Sequence, residues 1–294
     1  MPETLYAAAM IIDAHVHVFP PEIVSGRQSV AALEPVFGWL YKDPGARLVT
    51  AAELVAELDK QKIDAAIVCG FPWRDTGRAR MHNDYIIEAA RRHPGRLVPL
   101  AAVDPLAPGA LDEARRALRE GAAGLGEIGV YQNDLAEPVV MKKMRELANL
   151  CYEAGCPLLL HTNEPVGHRY PGKSPMTLSG LYELVQSCPD TRFQLAHMGG
   201  GIFFFELLKK EVASVLANCV CDTAAAPFLY RPDVYRIFAE LAGEERLLFG
   251  SDFPLLGIDR YRKEFSLSGI LNEFSDKIMG ENANSFWSVG TRDP

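Results

Sequence analysis

Two histidines one residue apart, in Asp13-Ala14-His15-Val16-His17, are the first groups in this 294-residue chain that could hold a metal ion. They lie in an apolar run, Ile11 to Phe19, that reads as a short strand. Residues i and i+2 of a strand face the same side, so His15 and His17 reach one point while Ala14 and Val16 face the other way into apolar packing. Two converging imidazoles make half of a divalent-metal site. The plain alternative is a pair of hydrogen-bonded core histidines, and an isolated pair does not decide between the two. Other polar residues at the ends of apolar runs do. Glu127 stands in Gly124-Leu125-Gly126-Glu127-Ile128-Gly129, His161 follows Pro157-Leu158-Leu159-Leu160, His197 follows Phe193-Gln194-Leu195-Ala196, and Asp252 follows Leu247-Leu248-Phe249-Gly250-Ser251.

The elements that must carry these groups set in as a regular rhythm from Thr50. Thr50 with Glu53 makes a capping-box pattern, opening a helix to about Gln61 with Leu54, Val55 and Leu58 on one face. Residues 63–69 read as a strand buried on both faces, since the run lacks alternation. Further strands are expected at 96–103, 122–130, 156–161, 192–197, 215–221 and 246–250. Helices are expected at 82–92, 110–120, 139–154, 177–187, 202–212, 233–241, 261–271 and 282–287. Eight strands, each followed by a helix, predict an α/β protein of the (β/α)8 TIM-barrel type, regular or distorted, forming one domain over residues 1–294 with long loops after strands 1 and 5. A doubly wound open sheet is the other arrangement, but no G-x-G-x-x-G follows the first strand. The segment Pro20 to Thr50, with Phe37, Trp39 and Tyr41, is either a lid or pocket wall or a surface excursion with its own packed cluster.

Barrel enzymes place their chemistry at the C-terminal ends of the strands. His15, His17, Glu127, His161, His197 and Asp252 all fall there, so four of the seven histidines share one expected face. His82, His93 and His168 do not fit; they read as structural, capping or solvated groups, with a pocket-lining place the alternative for His168.

With these residues in hand, the chain resembles the metal-dependent amidohydrolase superfamily. More narrowly it resembles the amidohydrolase-related branch that includes aminocarboxymuconate-semialdehyde decarboxylase and aromatic-acid decarboxylases. The segments that carry the likeness are Asp13-Ala14-His15-Val16-His17, His197-Met198-Gly199-Gly200, Gly250-Ser251-Asp252-Phe253-Pro254 and Glu281-Asn282-Ala283. The resemblance implies that His15, His17, His161 and Asp252 hold a divalent ion, Zn2+ above others, one or two per chain. It also implies that Asp252 accepts a proton from an ion-activated water, and that His197 polarises or protonates the substrate. Glu127 is read as a further ligand, which would favour a binuclear centre and hydrolysis. A Glu127 that only accepts a hydrogen bond behind the ligands would leave a mononuclear one.

Two function readings follow, both with a small-molecule substrate. The first is a metal-dependent hydrolase of a C–N or C–O bond, in an amide, cyclic amide, lactone or related ester. The alternative is a metal-dependent decarboxylase or hydratase of an unsaturated or aromatic carboxylic acid. A barrel with a purely structural ion ranks third. Trp73, Arg74 and Arg169, in the second and fifth loops, are candidates for binding an anionic substrate, because guanidinium forks suit carboxylates.

Composition narrows the classes further. Hydrophobic residues make up 48% and charged residues 23%, ample for a sizeable soluble core. A net charge of −8 with no basic stripe argues against a nucleic-acid partner. No apolar run approaches the roughly 20 residues of a membrane helix. Met1-Pro2-Glu3-Thr4 lacks a positive leader region, so Ala7 to Ile12 reads as lead-in and strand. Six scattered cysteines without a C-x-x-C pair suit a reduced, cytoplasmic protein. Ser25, Ser29 and Ser251 have no nucleophile-elbow context. A homodimer is left open.

Overall fold

The computed structural model describes residues 10–269 and 275–289; the first residues of the Ala7 to Ile12 run and the last two of the helix expected at 261–271 lie outside them. Eight parallel strands follow one another around the sheet in sequence order. They are β1 (Ile12–His17), β2 (Ala65–Cys69), β3 (Leu97–Ala101), β4 (Gly124–Ile128), β5 (Leu158–Leu160), β6 (Phe193–Leu195), β7 (Cys219–Asp222) and β8 (Leu247–Leu248). The ring closes where Ala14 N–H donates to Phe249 O at 2.8 Å and Val16 bridges Phe253 in parallel. This is the expected (β/α)8 barrel.

Its core has two layers. The larger lies between strands and outer helices and includes Val16, Val68, Leu125, Leu158 and Phe193. The smaller fills the barrel and includes Ile12, Ala14, Ile67, Cys69, Leu100, Leu159 and Leu248, with Trp287 among them. Ala14 and Val16 therefore pack in different layers, where alternation predicted one. A register irregularity in β1 between Asp13 and Val16 shifts the phase of the strand. It lets Ile12 and Ala14 point inward low in the barrel while His15 and His17 point inward at its top.

The capping box forms as expected: Thr50 Oγ1 accepts from Glu53 N–H at 3.3 Å, and Thr50 N–H donates to Glu53 Oε2 at 2.7 Å, opening helix Ala51–Gln61. The long segment after β1 is not structureless. It folds into three short helices, Pro21–Ser25, Arg27–Leu33 and Pro35–Tyr41. Phe37 of the last packs with Phe19, Phe71 and Trp73 in an aromatic cluster of its own.

Three expected elements come out differently. The helix expected from 82 begins at Thr76, capped by Asp75, whose side chain accepts the Arg78 N–H. The helix of 202–212 is a 3-10 turn, Ile202–Leu207, then a short helix, Lys210–Val215. The strand expected from 215 begins only at Cys219, because the Asn218 amide is tied to Cys188 O and Thr191 O at 3.1 and 2.7 Å. No described helix is long and apolar enough to cross a membrane.

Candidate metal centre

The strand-end residues meet at the C-terminal mouth of the barrel, and all are buried except Asp252, which is nearly so. His15 Nε2 and His17 Nε2 stand 3.1 Å apart. Glu127 Oε2 lies 3.8 and 3.6 Å from those two nitrogens, and Asp252 Oδ1 lies 3.9 and 3.4 Å from them. His161 does not join this quartet directly. Its Nδ1 faces the other Glu127 oxygen, Oε1, at 2.8 Å, and His197 Nε2 faces the same oxygen at 3.5 Å. Glu127 thus stands between two groups, with His15 and His17 beside one oxygen and His161 and His197 beside the other.

Groups outside the centre orient the rings. His15 Nδ1 donates to Asp222 Oδ2 at 2.9 Å, His161 Nε2 to Gly172 O at 2.9 Å, and His197 Nδ1 to Ala224 O at 2.9 Å. A carbonyl or carboxylate can only accept, so each of these imidazoles turns its other nitrogen, a lone pair when neutral, toward the centre. Three inward lone pairs and two carboxylates then face one another. Such a convergence of acceptors requires positive charge, supplied by protons or by a cation. The donor set and its spacing fit a divalent ion, and hydrogen-bonded partners behind the ligating rings are usual for metal-binding histidines. Among the described residues, His17 Nδ1 is a buried side-chain polar atom with no hydrogen-bond partner.

The mutual charges of these groups set their protonation. Burial works against a charged His197, but the hydrogen bond to Glu127 and the charge of Asp252 raise its pKa to about 9. Burial alone would raise Asp252, yet the His17 hydrogen bond and the charges of His15 and His197 bring it down to about 2. Glu127 is likewise held well below the usual carboxylate range by His161 and His15 against the cost of burial.

Backbone geometry aims two of the side chains. His197 and Asp252 have φ of 56° and 60°, left-handed values that non-glycine residues adopt rarely and mostly where surroundings enforce them. At His197 the enforcement is Asp222 Oδ1, which accepts the His197 N–H at 2.9 Å. The chain stays left-handed through Gly201; a side chain at Gly200 would place its Cβ 2.4 Å from Asn163 O. At Asp252 the neighbouring Ser251 is pinned by Asp13, whose Oδ1 accepts the Ser251 N–H at 2.8 Å and whose Oδ2 accepts its hydroxyl. Burial pushes the Asp13 carboxyl up to about 7 despite these bonds.

Strand-end reasoning missed Asp222 and Gln194. Asp222 is fully buried and accepts from His15, Gln194, His197 N–H and Ala224 N–H. Gln194 connects it to Trp287, whose indole N–H donates to Gln194 Oε1 at 2.6 Å. Asp222 directly follows the apolar run Val220-Cys221, the same signal that marks the other site residues. Gln194 lies inside its strand, where only the fold reveals its role.

The substrate candidates are not gathered around the ligands. Trp73 is fully buried in the aromatic cluster, donating to His82 Nδ1 at 2.9 Å. Arg74 is exposed, with its backbone N–H on Glu34. Arg169 is exposed on the loop after β5, three residues before the carbonyl that orients His161. Aromatic residues stand closer to the centre. The Tyr131 ring lies 4.9 Å from the His161 ring and 6.5 Å from that of Trp39. Burial, reinforced by the charges of Asp252 and Glu127, raises the Tyr41 hydroxyl above its ordinary range.

Several solved structures share this architecture. The 5-carboxyvanillate decarboxylase of Sphingomonas paucimobilis is 17% identical with a TM-score of 0.75, over 96% of this chain and 99% of that one. The dihydroxybenzoic acid decarboxylase of Polaromonas sp. JS666, solved with manganese and 2-nitroresorcinol, is 17% identical with a TM-score of 0.71, over 96% and 98%. A probable 2-pyrone-4,6-dicarboxylic acid hydrolase of Acinetobacter baumannii, solved with citric acid, is 15% identical with a TM-score of 0.61, over 95% and 99%. The expectation of a hydrolase acting on a C–N or C–O bond is corrected by these likenesses, which are in the main to decarboxylases of aromatic acids and so back the alternative. A divalent metal is supported by the donor clusters of this chain and by the manganese of three of the similar structures. No curated protein matches the sequence. A family model described as amidohydrolase matches residues 12–289, and the chain belongs to that family.

Proposed function

We propose that this protein is a metal-dependent decarboxylase of a small aromatic carboxylic acid. The observation that carries the reading is the aromatic ring beside the donor cluster, Tyr131, which lies 4.9 Å from the His161 ring and is tilted 39° to it. A planar ring stacks well against such a face. The similarity to aromatic-acid decarboxylases over almost the full length supports it.

His15, His17, Glu127 and Asp252 would hold the ion, one per chain, and His161 would steady Glu127 from its second oxygen. We propose zinc, which imidazole-rich donor sets suit. When bound, the ion supplies electrophilic pull on the anionic oxygens of the substrate. His197 is the proton source in this reading. Its Nδ1 is committed to Ala224 O, so the exchangeable proton sits on Nε2, facing the centre. That proton adds to the ring carbon bearing the carboxylate. The C–C bond then breaks, its electron pair restores the aromatic ring, carbon dioxide leaves, and His197 regains a proton from solvent. Asp222 holds the His197 backbone and the His15 ring in register for this step. Arg169 is proposed at the mouth, where it would meet a second anionic group.

The test is turnover of a panel of hydroxybenzoic acids in deuterium oxide. Carbon dioxide release with one deuterium at the former carboxyl position supports the reading. A product that carries oxygen from labelled water and releases no carbon dioxide would overturn it.

A further inference from the structure

Cys69 ends β2 beside the two histidines that end β1. It is the register partner of His17 in the parallel ladder, so their side chains leave neighbouring strands side by side. One ligand atom each from His15, His17 and Cys69 lie within 4.8 Å of one another, and all three residues are buried, Cys69 completely. Cys69 packs in the inner barrel layer, whereas Cys151, Cys188, Cys219 and Cys221 belong to the outer layer between strands and helices. It is thus the cysteine whose sulfur faces the proposed ion.

We propose that Cys69 is a thiolate ligand of the ion held by His15 and His17, and that it biases the centre toward zinc, cobalt and cadmium over manganese. The inference rests on the metal centre proposed above. Sulfur is a soft donor, and a site that adds it to imidazole nitrogen discriminates against the harder manganese ion. Burial pushes the free thiol up, opposed by the charge of His15. Coordination reverses that balance, because a ligating thiol gives up its proton to solvent as the ion binds.

Cobalt loading of metal-free protein separates the two layers of the argument. Visible d–d bands report cobalt in the centre, and a near-ultraviolet sulfur-to-cobalt charge-transfer band reports thiolate ligation. Both are expected in the wild type. Cys69→Ser and Cys69→Ala should lose the charge-transfer band and keep the d–d bands, while Cys221→Ser keeps both. X-ray absorption on the zinc-loaded wild type should show a sulfur shell at about 2.3 Å, which decides the point even if the Cys69 variants fail to fold. Zinc-against-manganese competition should favour zinc less in Cys69→Ala, by at least about tenfold. Cobalt bands without a charge-transfer band or sulfur shell would overturn the thiolate and leave the metal centre standing. Failure to bind cobalt or zinc at all would overturn both.

Discussion

The carboxylate of Asp222 and the imidazole of His15 form a fully buried hydrogen bond of 2.9 Å, from Nδ1 to Oδ2, that turns His15 Nε2 toward the candidate ion. A carboxylate in this position both fixes the ring and raises its basicity. Asp222→Asn keeps the shape but sets an amide N–H₂ against groups that all donate. We expect metal affinity to fall about 10- to 100-fold, measured by chelator competition. We also expect stability to fall by about 1–3 kcal/mol, because buried donors lose their acceptor. Unchanged affinity would show that Asp222 only braces the barrel.

Glu127 turns one oxygen to His15 and His17 and the other to His161 and His197. Wild-type protein should carry one ion per chain. Glu127→Ala should weaken its binding by at least about tenfold. Two ions per wild-type chain, with one lost in the variant, would instead make Glu127 a bridge, and elemental analysis of both proteins distinguishes the cases.

His197→Gln should lower kcat by about 10²- to 10⁴-fold, the usual contribution of a positioned acid. Metal content should stay at the wild-type level, since His197 Nε2 faces Glu127 Oε1 at 3.5 Å and His161 Nδ1 at 3.3 Å, and not the Glu127 oxygen that faces His15 and His17. If metal is lost along with activity, His197 is a ligand and the proton must come from elsewhere.

His82, which is not among the proposed ligands, offers a pH test. It accepts from the Trp73 indole N–H at Nδ1 and donates from Nε2 to Val18 O, so both nitrogens are satisfied only in the neutral ring. Burial pushes its pKa down from the ordinary 6.5 to about 4. Between those values the unfolded chain binds a proton that the folded one refuses, so stability rises with pH. The contribution is fully present above 6.5 and is lost as pH falls toward 4, roughly 3 kcal/mol in all. Denaturant titrations across that window should show a shallower dependence in His82→Gln, whose amide can accept and donate in the same places. Equal slopes would exclude His82 as the titrating group.

The strand–helix rhythm, the capping box at Thr50 and Glu53 and the residues ending strands 1, 4, 5, 6 and 8 were all legible in the order of residues. Each depends on local periodicity or on position within a short run, and a barrel turns position at a strand end into position at one mouth. The rest waited for contacts between strands far apart in the chain. Asp13 meets Ser251 across 238 positions, and Asp222 meets His15 across 207. The irregularity in β1, the split of the histidines between the two oxygens of Glu127, and the pairing of Cys69 with His17 are matters of register. Register is settled when all eight strands close around one core, and no single stretch of sequence contains it.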